Sequence, residues 1–161
     1  MNWIRMRLAP RRALVALAAG LVTAWFATLA GAAPSPAQHF PLVPVGDEPL
    51  KEGFVEVIHP DGPEVYARHV YQVNGAGINQ SYEVVISIWT LSLACSDAPE
   101  FVLPVAVVVT NASGNGHADV VHAPELLAAL GLRGLTIGGN VTLYHGGAPA
   151  YTTGCKVIQL D

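Results

Sequence analysis

The sequence predicts an all-β domain: an antiparallel two-sheet sandwich of about eight short strands with one short connecting helix, behind an N-terminal secretory signal peptide. Three observations predict it. From Gly53 onward the chain runs in short β-rich segments separated by clusters of Gly, Pro and Asn. Those connections are two to six residues long, whereas a parallel crossover takes about a dozen or more. Only one segment carries helix signals. Composition agrees, because 12% charged and 52% hydrophobic residues with 16 Gly and 12 Pro exclude a coiled coil, a charged bundle and a disordered acidic tail.

The first segment reads as an address. Met1 to Arg12 is basic, Ala13 to Leu29 has no charge, and Ala30-Gly31-Ala32 places small side chains before a cleavage point near Ala33. The alternative is a retained anchor, since Ala13 to Ala33 is 21 residues, just enough to span a bilayer. The A-x-A site and the prolines beyond it favour cleavage and no lasting membrane span. Residues 1–32 are therefore assigned to the signal peptide, and their removal leaves 129 residues, enough for one core. The expected location is outside the cytoplasm, secreted or at the cell surface. The Ala- and Gly-rich, Lys-poor usage is of the kind that GC-rich bacterial genomes encode.

Beyond Arg12 the chain holds Lys51, Arg68, Arg133 and Lys156 against twelve acids, a formal charge of −8 with His neutral. Such a surface neutralises few phosphates, which argues against nucleic acid as a partner.

Residues 33–50 carry five prolines without a period and read as a linker, or as an edge strand at Phe40 to Val45. Residues 51–161 form the sandwich domain. Strands are expected at Phe54–His59, Val65–Val73, Ser81–Cys95, Phe101–Thr110, His117–His122, Leu135–Ile137, Val141–His145 and Tyr151–Leu160. Pro60-Asp61-Gly62-Pro63, Asn74 to Gly77, Ser113 to Gly116, Gly138-Gly139 and Gly146-Gly147 supply the turns. Ser81 to Cys95 is apolar on both faces over its middle and should be central. Pro104 marks an edge or a bulge in the neighbouring strand. Pro124 to Leu130 opens with Pro and Glu125 and can close at Gly131, so the helix belongs there. A barrel is the second choice of architecture.

Cys95 and Cys155 form an even pair, read as one disulfide in an oxidising compartment. No C-x-x-C is present for dithiol catalysis. The separation is similar to that in immunoglobulin domains, so an Ig-like or similar sandwich is the expectation. The signature of that family is missing: Trp89 precedes Cys95, and Thr153 stands where a Tyr would precede the second Cys.

Motifs for nucleophilic or phosphate chemistry (G-x-S-x-G, S-x-x-K, H-E-x-x-H, a complete Gly-rich loop) do not occur. Within Thr110 to His122, Asn111, Ser113, Asn115 and Asp119 stand at calcium-loop positions 1, 3, 5 and 9, with Gly116 at 6. Position 12 is His122 in place of a bidentate Glu, so a hairpin turn and candidate binding loop at Asn111, Ser113 and Asn115 is preferred. His117 and Asp119 share a strand face while His122 takes the other. Joined by His145 or His69 they would make a site for a divalent metal ion. Asn79, Asn111 and Asn140 begin glycosylation sequons in turns. Tyr71, Tyr82, Trp89 and Tyr151 would have to be exposed together to form a glycan platform.

The functional expectation is a secreted, non-enzymatic module that binds an extracellular protein or glycan and needs no cofactor. The alternative is a metal-binding protein or metal-dependent enzyme using His117 and Asp119.

Overall fold

The computed structural model describes residues 37–58, 67–132 and 134–160. The signal peptide, its cleavage site and the turn at Pro60–Pro63 lie outside the described residues. Within them the chain is a β-sandwich. Its strands are β1 (Ala37–Pro41), β2 (Val43–Pro44), β3 (Glu52–Ile58), β4 (Ala67–Asn74), β5 (Ser81–Trp89), β6 (Phe101–Val109), β7 (Gly116–His122), β8 (Thr136–His145), β9 (Ala148–Thr152) and β10 (Lys156–Gln159). One helix, α1 (Pro124–Ala129), connects β7 to β8. No helix among the described residues is long and apolar enough to cross a membrane.

One sheet has the order β1-β3-β4-β7, the other β2-β9-β8-β5-β6 with β10 also on β8, and every pairing is antiparallel. Pro41 and Pro44 sit in the short edge strands β1 and β2, where a missing N–H leaves no ladder bond unmade. Between β1 and β2 the chain changes sheet at buried Leu42, whose N–H donates to Gly53 O at 2.8 Å. Strands β3 and β4 pair within one sheet, and β5 with β6 and β8 with β9 within the other.

Alternation decides what faces inward. Val55 and Val57 on β3, Tyr71 and Val73 on β4, Tyr82 and Val84 on β5, and Val141 and Leu143 on β8 meet in one buried cluster. A second, smaller cluster joins Ala67, Ile88, Leu132, Ile137 and Leu160. Two of the buried phenols are met by the backbone. Tyr151 Oη donates to Pro49 O at 2.8 Å, and Tyr82 Oη accepts Gly77 N–H at 3.1 Å.

Several boundaries differ from the sequence reading. Gly138-Gly139 is not a turn, because β8 runs through both as one strand from Thr136 to His145. A Cβ on Gly138 would stand 2.5 Å from Ser92 O, and one on Gly139 would stand 2.6 Å from Ile158 Cδ1. These glycines admit close neighbours. Strand β5 ends at Trp89, where the indole N–H turns away to donate to Asp97 O at 2.6 Å. The expected strand Tyr151–Leu160 is two strands divided at Gly154, whose φ is +66°. Residues 110–116 do not link a hairpin. Apart from a bridge between Thr110 and Gly116, β6 and β7 lie in different sheets. Pro104 occupies both expected settings: β6 is an edge strand, and its register with β5 shifts there.

The helix starts with Pro at its first turn and Glu125 behind it, and Gly131 closes it with φ +66°. Cys95 and Cys155 are joined in a disulfide with their Cα atoms 5.9 Å apart. It fastens the 90–100 loop to the turn before β10.

Candidate functional site: a cavity between the sheets

Beside the second cluster the sheets do not close. A cavity of about 330 Å³ lies between them, with Val57 and Val120 on one wall, Ile86 and Leu103 on the other, and Leu126 and Leu130 of α1 at its border. Ala67 and Gly139 both line it, and neither carries a side chain that spans a sheet spacing of about 10 Å. The volume falls at the lower end of small-molecule sites, which run roughly 300–1,000 Å³.

The wall is apolar except for a few groups. Asn140, Thr153 and Lys156 come from the six-stranded sheet and its turn, His69 and His122 from the four-stranded sheet. Asn140 Oδ1 accepts the Thr152 hydroxyl at 2.8 Å, and Thr153 Oγ1 accepts Val141 N–H at 3.0 Å. The histidines are placed by register. β4 and β7 pair with Ala67 opposite His122 and His69 opposite Val120, so the two imidazoles are diagonal neighbours on the inward face. His122 Nε2 lies 3.2 Å from His69 Nδ1, and Tyr71 Oη lies 3.1 Å from the same nitrogen. The His rings meet edge-on, 65° apart in tilt. Burial pushes the His122 imidazolium down from its ordinary range and the Tyr71 phenol up from its own. Both groups are held neutral near pH 7.

The residues singled out from sequence lie elsewhere. His117 and Asp119 share the outward face of β7, as alternation requires. Asp119 is engaged by Arg68 across the β4–β7 pair: the guanidinium Nε donates to its two oxygens at 2.9 and 3.0 Å, and a terminal nitrogen also donates. That hydrogen bond and charge hold the Asp119 carboxyl below the usual carboxylate range. His145 is in the other sheet, its ring 5.4 Å from that of Tyr82. The structure therefore does not bring His117, Asp119 and His145 together. Among the described residues, no three His, Cys, Asp or Glu side chains are placed to hold a metal ion.

The Asn111–Asn115 loop is tied to the turn after β4. Asn111 Oδ1 accepts the N–H groups of Ser113 and Asn115 at 2.8 and 3.0 Å. Asn115 Oδ1 accepts Gly75 N–H at 3.2 Å, and Ala76 N–H donates to Gly114 O at 2.9 Å. Gly114 has φ +73°, and any Cβ there would strike the Ala76 backbone. Of the oxygens read as calcium ligands, Asn111 Oδ1 and Asn115 Oδ1 are thus engaged by backbone donors and the Asp119 carboxylate by Arg68. Ser113 takes part through its backbone N–H. Tyr71, Tyr82, Trp89 and Tyr151 are buried and form no exposed platform.

Sequence reasoning assigned His122 to the face opposite His117 but left it without a role. Its pairing with His69 depends on β4 lying beside β7, across two intervening strands of the other sheet. No protein-family model matches this chain, and neither a curated protein nor a solved structure is similar to it.

Proposed function

We propose that the chain is a non-enzymatic binding module working outside the cytoplasm, secreted or at the cell surface, whose ligand is a small and mainly apolar molecule held between the sheets. The observation that carries this reading is the 330 Å³ cavity with apolar walls and a few convergent polar groups. The Cys95–Cys155 disulfide suits an oxidising compartment. The basic, apolar and small-residue order at the N-terminus supports export, and the acidic balance beyond it disfavours nucleic acid. A glycan ligand draws no support from the aromatics, which are buried.

The test is binding of an environment-sensitive apolar dye to the exported, disulfide-bonded protein, with Ile86→Trp filling the cavity from β5. Saturable binding near one dye per chain, lost in Ile86→Trp at unchanged circular dichroism, is the expected result. Equal binding by both proteins, or none by the wild type, would overturn the reading.

A further inference from the structure

We infer that His69, His122 and Tyr71 form a binding site for a transition-metal dication, with copper(II) preferred. The first ground is distance. Two imidazole nitrogens bound to one ion lie about 2.0–2.1 Å from it. Nitrogens 3.2 Å apart then subtend about 100° at the ion, within the range of tetrahedral and tetragonal sites. The 3.1 Å from His69 Nδ1 to Tyr71 Oη gives about the same angle for a third donor.

The second ground is hydrogen-bond capacity. An imidazole nitrogen offers one in-plane position, either a lone pair or an N–H. His69 Nδ1 faces two polar atoms at hydrogen-bond distance, and that position serves one of them well but not both. A cation that accepts lone pairs from the two nitrogens and the phenol oxygen serves all three. If Tyr71 enters as phenolate its proton passes to solvent, and the ion's charge offsets the penalty on a buried phenolate.

Placement and access complete the case. Tyr71 is fully buried in the packed cluster, and the adjacent strands β4 and β7 hold both histidines, so little ordering remains for an ion to impose. His69 and His122 line the cavity, which gives an entry path. Imidazole with a phenol oxygen is a donor set for copper(II), which also stands above zinc(II) in intrinsic affinity. This site is distinct from His117 and Asp119, which face outward.

The experiment uses the exported, disulfide-bonded protein, stripped with EDTA and titrated with copper(II) sulfate. Equilibrium dialysis should find one tightly held ion per chain. The electron paramagnetic resonance spectrum should show coupling to two nitrogens, and a phenolate-to-copper absorption band should vanish in Tyr71→Phe. His69→Gln and His122→Gln should each weaken binding by more than the roughly 100-fold that losing an outer-shell partner costs. His117→Gln with Asp119→Asn should leave it unchanged. No stoichiometric copper on the wild type overturns the site, as does binding that survives both histidine substitutions or disappears with His117 and Asp119. If the histidine variants do not fold, the wild-type spectrum decides alone, and coupling to fewer than two nitrogens overturns the proposal.

Discussion

At one end of the sandwich Tyr71, Tyr82 and Tyr151 meet between the sheets and leave no exposed surface. Toward the other end of the same strands, the residues between the sheets are Ala67, Ile88, Ile137 and Gly139, and a cavity remains. The backbones are continuous from one end to the other, so the difference lies in the side chains. Three phenols fill the space between the sheets and find partners for their hydroxyls. Aliphatic residues with Ala and Gly do not fill it. Closing a sheet-on-sheet interface thus takes large side chains at facing positions, and small ones there leave room for a ligand.

The largest expected effect is at the open end, where the disulfide substitutes for packing. It closes a loop of 60 residues, worth about 4 kcal/mol in the chain-entropy account. Cys95→Ser with Cys155→Ser should lower the unfolding free energy by about that much in urea titration. A loss below about 1 kcal/mol would show that the open end holds itself together. A matched pair of leucines sharpens the contrast. Leu143 is fully buried in the packed cluster, whereas Leu103 lines the cavity and is only partly buried. Leu143→Ala should cost about 3 kcal/mol and Leu103→Ala under about 2 kcal/mol, read by the same titration. Equal losses would mean the cavity wall is as tightly packed as the core. The smallest effect lies outside both regions. The Asp119 carboxyl, held low by Arg68, should titrate below the ordinary Asp range by NMR and move up toward it in Arg68→Gln. Its contribution to stability is present above the unfolded Asp pKa and fades as pH falls through the lower folded value. Exposure keeps that contribution slight. Identical midpoints in the two proteins would deny the ion pair any influence.

Local signals in the sequence carried much of the fold. The helix, the disulfide, the edge character of the Pro104 strand and the opposite faces of His117 and His122 follow from turn chemistry, cysteine parity and alternation. What was not legible depended on neighbours distant in the chain. Gly138-Gly139 has turn composition, and only the approach of Ser92 and Ile158 shows why glycine stands within a strand. Asn111 to Gly116 has hairpin composition, yet the strands it joins belong to different sheets. The His69–His122 pair needed the β4–β7 register, which alternation along either strand does not specify. The cavity needed the same knowledge, because a small residue leaves a void only where no neighbouring side chain fills the space beside it.

The seam between β2 and β9 has a temporal side. Val43 and Pro44 pair with Thr152 and Tyr151, and the Tyr151 hydroxyl reaches Pro49, 102 residues earlier in the chain. A chain that emerges from its N-terminus can complete the four-stranded sheet once His122 has appeared. The six-stranded sheet must wait for residues 148–159, the last strands to be made. Contacts so distant along the chain make folding slow. Until those strands arrive, β2 and one side of β8 are open edges of the kind on which other chains can pair.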